Sequence, residues 1–103
     1  MAKITLAVAP TFKLDVSIPV IGERNVTVGF TFKGRSKTQF NEYMQAMRGM
    51  ADPDAMMETV CGWDQEHEFN RDNMVLFLES HPLAAEAVLS RYMKEYLGAR
   101  LGN

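Results

Sequence analysis

The sequence has few of the features that mark secreted or membrane proteins. Its 103 residues include one cysteine, Cys61, which cannot form an internal disulfide. It has no leader in which basic residues, an apolar run and a small-residue cleavage site follow one another. Its longest apolar run, residues 74–78, is far shorter than the ~20 residues that a membrane span requires. We therefore expect a protein of the reducing cytoplasm that does not bind membranes.

Positive charge is also scarce. The 11 basic residues are outnumbered by 13 acidic ones, which gives a net charge of −2 and no broad cationic surface for nucleic acid. One short basic cluster contains Lys33, Arg35 and Lys37, with aromatic residues beside it. We interpret it as a solvated corner between a strand and a helix, and contact with nucleic acid is the alternative.

The residue types that carry chemistry in enzymes form no convincing set. Cys61, Asp64 and His67 are close in sequence, but sequence neighbours rarely form a pair of nucleophile and base. Cys61 is more simply a packing residue at the end of a helix. His67 and His81 lack the paired spacing of a metal site, and His81 before Pro82 fits a helix-capping position. A glycine-rich phosphate loop is absent, so we expect no catalytic site, no metal and no cofactor.

Alternation of apolar and polar residues predicts two strands. It covers residues 12–18 and recurs over residues 26–33, with the period of two that a half-buried strand shows. Residues 19–25 between them contain Pro, Gly and Asn, which favour a turn, so we expect an antiparallel hairpin over residues 11–34. Gly29, alone inside the second strand, predicts a bulge or the close approach of another backbone.

The first ten residues leave two alternatives open. Ile4, Leu6 and Val8 continue the alternation, but Pro10 separates them from the hairpin. Residues 1–10 therefore form either a loose arm or an extra strand. A hairpin alone is marginally stable and has two unpaired edges, so it must lie against the helices, pair with another chain, or do both. The unpaired edges indicate a homo-oligomer.

Capping signals predict two helices directly after the hairpin. Ser36 and Gln39 have the spacing of a capping box, and apolar residues follow them at helical spacing. A second helix is predicted with Asp52 as its cap and Pro53 at its first position. We expect this helix to end at Gly62.

Two more helices are predicted in the second half of the chain. Residues 69–79 form the third, which is apolar on nearly all sides over residues 74–78, so we expect it to be central in the packing. Pro82 starts the fourth. Its predicted buried side consists of Ala85, Val88, Leu89, Tyr92, Met93 and Tyr96. The patterns together predict an α+β fold, with an N-terminal antiparallel β-hairpin followed by three to four short α-helices over residues 36–101, in a single domain of residues 1–103.

Methionine and aromatic side chains are the candidates for partner binding. Several of the eight methionines lie on two adjacent predicted helices, and flexible thioethers suit a surface that repacks against apolar partners. The single tryptophan lies in a predicted turn, and Trp is enriched at binding hot spots. The alternative is that all of them are ordinary core residues. The candidates are Met44, Met47, Met56, Met57, Trp63, Tyr92 and Tyr96.

The order of several short segments resembles a known protein family. The C-terminal half contains, in order, Gly62-Trp63-Asp64, Glu68-Phe69, Asn73, Leu76-Phe77-Leu78-Glu79, His81-Pro82, Ala84-Ala85, Tyr92 and Tyr96. The N-terminal third adds Thr11-Phe12-Lys13, Val16-Ser17-Ile18-Pro19 and Phe30-Thr31-Phe32-Lys33-Gly34-Arg35. This pattern looks like the small tail assembly chaperones of long-tailed bacteriophages and prophages.

The resemblance implies a non-enzymatic protein that binds the tape measure protein, keeps it soluble and helps recruit tail tube subunits. It also implies action in the host bacterial cytoplasm and absence from the mature virion. The alternative is a structural virion protein, such as a small head-tail connector or tail terminator, which would also be acidic, α+β and oligomeric. A third interpretation is a small regulator that binds nucleic acid through the basic cluster.

Overall fold

The chain folds as a three-stranded sheet with four helices. The computed structural model describes residues 3–98. Its elements are β1 (Thr11–Ile18), β2 (Val26–Lys33), α1 (Lys37–Ala46), α2 (Asp52–Thr59), β3 (Val60–Trp63), α3 (Arg71–Ser80) and α4 (Ala84–Leu97). The predicted α+β class, with a hairpin before the helices, is confirmed. Residues 3–10 contain neither helix nor strand, and the predicted helical residues 99–101 lie outside the described residues.

The sheet is antiparallel, in the order β1-β2-β3. β1 pairs with β2 along its full length without a break in register. β3 pairs with the other side of β2, placing Trp63 opposite Phe30, and the register shifts between Thr31 and Phe32. Both outer strands are therefore sheet edges. None of the helices among residues 3–98 has the length and apolarity that crossing a membrane requires.

β3 is a strand that the sequence patterns did not predict. The second helix ends at Thr59, and not at Gly62 as expected, and the chain continues in extended conformation from Val60. Thr59 and Val60 are β-branched and favour extended backbone, and the free edge of β2 supplies hydrogen-bond partners. The start of α2 also differs from the prediction, since Ala51 is its N-cap and Asp52 its first residue.

Side chains cap the N-terminal ends of α1 and α3. In α1 the Ser36 hydroxyl accepts a bond from the Gln39 backbone N–H (3.1 Å), and the Gln39 side chain accepts one from the Ser36 N–H (2.8 Å). The predicted capping box is therefore confirmed. In α3 the Asn70 side chain caps the helix by accepting a bond from the Asn73 N–H at 2.8 Å. These interactions are local, so they depend little on the rest of the fold.

The fourth helix begins later than predicted. Pro82 lies in a turn that the Ala84 N–H closes by donating to the His81 carbonyl at 3.0 Å, and the helix starts at Ala84. His81 does hold a capping position, but at the C-terminal end of α3, where its N–H donates to the Phe77 carbonyl. The predicted buried side of α4 is buried at Ala85, Val88 and Tyr92 and half-buried at Leu89, Met93 and Tyr96.

Tyr92 joins α4 to the sheet. Its ring is fully buried and stacks on Phe32 and Phe12, with ring centroids 5.5 and 6.1 Å away. Its hydroxyl donates to the Lys33 carbonyl (2.8 Å) and accepts from the Arg35 guanidinium (3.0 Å). The side chain thus combines aromatic burial with two hydrogen bonds at the end of β2.

Arg35 is held inside this network and does not extend into solvent. Its backbone N–H donates to the Tyr96 hydroxyl at 2.7 Å and its guanidinium to the Glu58 carbonyl at 2.8 Å. The guanidinium also lies 4.3 Å from the ring centre of Tyr43, in cation–π geometry. The middle cation of the basic cluster therefore serves the contact between β2, α1, α2 and α4.

The third helix is not central in the packing, which corrects the prediction. Met74 is its one fully buried residue, while Val75 is 37% exposed and Leu76 is 63% exposed. Phe77 and Leu78 pack against the core from one side of the helix. A continuous apolar run places side chains on every side of a helix, and the neighbouring elements cover only part of that surface.

Replacing Tyr92 with Phe tests the network around its hydroxyl. The ring remains, but the Lys33 carbonyl and the Arg35 guanidinium each lose a partner, so we expect the free energy of unfolding to fall by about 1–3 kcal/mol. Urea denaturation at pH 7 measures this change. An unchanged unfolding midpoint would contradict the role assigned to the hydroxyl.

Alkaline pH tests the same group in the wild-type chain. Burial raises the pKa of the Tyr92 hydroxyl above its ordinary value, so the fold favours the neutral form. The resulting stability is fully present below the ordinary tyrosine pKa of about 10 and is lost as pH rises towards the raised value. Between about pH 9 and 11 the free energy of unfolding should fall more steeply in the wild type than in the Tyr92→Phe variant. Equal slopes would contradict this expectation.

Candidate partner-binding site

The candidate partner-binding residues do not share one exposed surface. Met56 and Tyr92 have no exposed area and belong to the hydrophobic core. The other five are half-buried and pack against that core, namely Met44, Met47, Met57, Trp63 and Tyr96. Met47 lines a depression of about 520 Å³ and Tyr96 lines a different one, so these two candidates lie at separate places. Partner binding by the half-buried five stays a prediction.

An apolar groove lies elsewhere, between the tip of the β1–β2 hairpin and α3. Its volume is about 400 Å³. The hairpin contributes Ile18, Val20, Val26 and Val28, and the opposite wall consists of Trp63, Leu76 and Phe77. Polar residues line the remainder, and these are Gln65, His67, Asn73, Ser80 and His81. The groove thus has the composition of a binding site, mostly apolar with a few polar groups.

Trp63 forms a fixed part of the groove wall. Its indole N–H donates to the His67 carbonyl at 2.8 Å. Its ring meets Phe69 and Phe77 edge-on, with centroids 5.1 and 5.6 Å apart, and Phe30 lies behind it at 6.4 Å. Trp63 therefore packs on the core with one side and lines the groove with another, and its contact with a partner stays a prediction.

Exposed apolar side chains extend the groove surface. Leu76 is 63% exposed and Val26 is 49% exposed, and both line the groove. Val75 on α3 and Ile21 in the hairpin turn are exposed as well, but they do not line the groove. Single exposed apolar residues are common on protein surfaces, but several around one apolar groove indicate an interaction site.

Acidic residues border this apolar surface. Glu66 and Glu68 lie in the exposed segment between β3 and α3. On α3, Asp72 and Glu79 are at helical spacing from Leu76 and share its side of the helix. None of the described residues that line the groove is a lysine, arginine, aspartate or glutamate. Arg24 and Arg71 are exposed in the same hairpin turn and helix, so acidic side chains outnumber basic ones near the groove without excluding them.

Contacts within the same chain explain why a glycine occupies position 29. β1 and β2 pair without a bulge at Gly29, so the predicted bulge is wrong. A Cβ atom there would lie 2.9 Å from the Asp64 Oδ2 atom, and the Asp64 N–H donates to the Gly29 carbonyl at 2.9 Å. The close approach is thus made by Asp64 of the same chain.

The structure gives the polar cluster of β3 and the following loop no catalytic geometry. Among residues 3–98, no hydrogen bond joins the side chains of Cys61, Asp64 and His67. Cys61 is exposed and free, and the Asp64 carboxylate accepts a bond from the Gln65 amide. Within the same residues, no three His, Cys, Asp or Glu side chains are grouped so as to hold a metal ion.

Sequence reasoning missed most of the groove. The sequence patterns predict Ile18, Val26 and Val28 in half-buried strands, Val20 in a turn and Leu76 in a central helix, and of the lining residues Trp63 alone is a predicted binding residue. A signal was available, because residues 74–78 carry apolar side chains around the whole helix while Asp72 and Glu79 require one side to face water. An exposed apolar side chain next to those carboxylates follows from the two requirements.

Comparisons with known proteins agree with the resemblance in the sequence. No curated protein and no solved structure matches the chain. A family model described as phage tail assembly chaperone matches residues 1–103, the whole chain. The protein therefore belongs to the phage tail assembly chaperone family.

Proposed function

We propose that this chaperone binds an amphipathic helix of the tape measure protein in the groove between the hairpin tip and α3. Binding would keep the long tape measure protein soluble and help recruit tail tube subunits around it. The observation that carries the proposal is the apolar groove with Leu76 exposed at its rim. Family membership supplies the context of tail assembly. The role is one of binding, without catalysis.

The size of the groove defines how a helix would occupy it. A helix with its side chains is about 10–12 Å wide, and a volume of about 400 Å³ is at the lower end of the ~300–1,000 Å³ range of ligand pockets. The groove therefore takes the anchoring side chains of a helix and not the whole helix. Apolar residues three and four positions apart on the partner would insert between Val26 and Leu76.

The acidic residues near the groove also favour an amphipathic helix, one with basic residues, as the partner. The acidic residues Glu66, Glu68, Asp72 and Glu79 border the apolar surface, and they would attract lysine and arginine beside the apolar stripe of the partner. The apolar contacts would supply most of the affinity, because exposed charge pairs contribute little in salt. Binding to basic amphipathic helices should therefore be preferred over binding to acidic ones.

The proposal places the protein in the host bacterial cell during tail assembly and outside the finished particle. It includes association of the chaperone with itself, since no strand in the described part of the chain pairs with the outer edge of β1. The second candidate function is a structural virion protein, such as a small head-tail connector or tail terminator. An unpaired sheet edge and an apolar groove would suit such a protein as well.

Substitution of Leu76 by Gln tests the groove. Leu76 is exposed in the free chain, so the fold should survive, but capture of the tape measure protein should weaken by at least about tenfold. The measurement is co-expression with the tape measure protein, followed by the soluble yield and the dissociation constant of the complex. Leu97→Gln is the matched control, because Leu97 is 43% exposed and does not line the groove.

Equal loss in the two variants would contradict the groove as the binding site. Loss in the Leu97 variant alone would move the site to the end of α4. Circular dichroism of both variants verifies that each has kept its fold.

Trp63 gives a direct optical test, because it is the single tryptophan of the chain and lines the groove. A basic amphipathic peptide from the tape measure protein should cover the indole and shift its emission to shorter wavelength in a saturable way. A peptide with the same composition in scrambled order, which has no apolar stripe, is the control. Saturable binding without any change in emission would contradict contact at this wall.

Mass spectrometry of purified phage particles separates the two candidate functions. A chaperone that leaves before maturation should be absent from the particles while it is abundant in the infected cell lysate. Its presence in particles at a fixed copy number relative to the tail tube protein would support the structural virion protein.

A further inference from the structure

Within residues 3–98, the outer edge of β1 has no partner strand. β1 is the first strand in the order β1-β2-β3 and pairs with β2 alone. Apart from that ladder, none of the hydrogen bonds found within residues 3–98 involves the backbone of residues 11–18. Pro10 and Pro19 flank the strand without interrupting it, and its register has no bulge. Of the devices that protect sheet edges from pairing, β1 has exposed charges and flanking prolines, but it has no bulge and no strand of residues 3–98 covers its outer edge.

The apolar layer of the sheet is incomplete at this edge. Phe12 and Leu14 are half-buried, whereas their partners in β2, Phe32 and Phe30, have no exposed area. Phe12 and Leu14 instead line a shallow depression of about 300 Å³, together with Tyr96 and the charged residues Lys13 and Glu95. A further strand beside β1 would cover both side chains on the inner side of the sheet.

The charged residues of β1 point to the identity of that strand. Lys13 and Asp15 are exposed on the other side of the sheet and carry opposite charges two positions apart. If a second copy of β1 pairs antiparallel about a twofold axis through Leu14, each Lys13 lies opposite the second copy's Asp15. Phe12 then lies opposite the second copy's Val16, and Leu14 opposite its own equivalent. Opposite charges and apolar pairs both stabilise such a ladder.

Other symmetric registers lose this complementarity. An axis through Lys13 or Asp15 places like charges opposite each other, which destabilises the pair. An axis through Phe12 or Val16 places neither charge opposite the other. A pairing slipped by one residue, such as Phe12 opposite the second copy's Asp15, would bring apolar side chains onto the face that carries the charges. Leu14 is thus the one centre in this stretch that matches charges and apolar residues together.

We propose that two copies of this chaperone pair through the outer edges of β1, antiparallel and centred on Leu14, and form a continuous six-stranded sheet. The occupant of this edge is therefore a second copy of the chain. A pair of eight-residue strands is a small contact, of the class that buries less than about 1,200 Å², so association is expected at micromolar concentrations. The interface is independent of the tape measure groove, and it is tested in the absence of that partner.

Reversing the charges of Lys13 and Asp15 tests the proposed dimer. Lys13→Asp and Asp15→Lys each replace two attractive pairs with two repulsive ones, so each should raise the dissociation constant of the dimer about 5- to 100-fold. The double variant K13D/D15K restores opposite charges and should return to within about threefold of the wild type. Lys37→Asp, on α1, changes the net charge like Lys13→Asp and should leave association unchanged. Analytical ultracentrifugation of the free chaperone measures all five proteins.

A monomeric wild type up to high micromolar concentration would overturn the proposal. So would a dimer whose dissociation constant is the same in the single variants, or a double variant as weak as the single ones. None of these outcomes would contradict the proposed tape measure groove. That groove is tested separately, by the yield of soluble tape measure protein with the Leu76 and Leu97 variants.

Disulfide trapping tests the register itself. In a Cys61→Ser background, Leu14→Cys should form a covalent dimer on oxidation, because directly opposed residues have Cα atoms within disulfide reach. Ser17→Cys is the matched control, since the proposed register separates the two introduced thiols by six residues, about 20 Å along the strand. Cross-linking of Ser17→Cys in preference to Leu14→Cys would overturn the register.

Discussion

The stacking of Tyr92 on the sheet is the interaction on which the arrangement of the other elements depends. It holds α4 over the end of the sheet where Phe12 and Phe32 lie, and its hydroxyl binds the Lys33 carbonyl and Arg35. Arg35 in turn contacts α1, α2 and α4, so the helices are oriented from one corner. The opposite end of the sheet, at Ile18, is left to β3 and α3, and the groove forms there because these two short elements cover it only partly.

Local signals predicted the parts of the fold that depend on few residues. The alternation in residues 11–18 and 26–33 and the capping box at Ser36 are properties of short segments, and the structure has both. β3 could not be predicted in this way, because its four residues become a strand by pairing with the edge of β2. The burial of Met56 is also nonlocal, whereas helical spacing did predict that Tyr92 lies on the buried side of its helix. Helical periodicity indicates which residues share a face, but other elements determine whether that face is covered.

The chemistry of the described surface suits a protein that acts by contact. Arg35, the middle residue of the basic cluster, is bonded to Tyr92 and to the Glu58 carbonyl inside the protein. Within residues 3–98, no hydrogen bond joins the side chains of the cysteine and the histidines. The groove beside Trp63 and the outer edge of β1 have other chemistry. Both are apolar, partly exposed and bordered by charge, which is the combination expected where a soluble protein binds other proteins without becoming insoluble.

Amide hydrogen exchange of the chaperone, free and in complex with the tape measure protein, tests the central claim most directly because it reports on every segment at once. The account predicts slower exchange in the complex for residues 18–28 and for α3, which form the two walls of the groove, with α1 and α2 unchanged. Protection confined to α1 and α2 would contradict the groove and return the contact surface to the methionine-bearing helices.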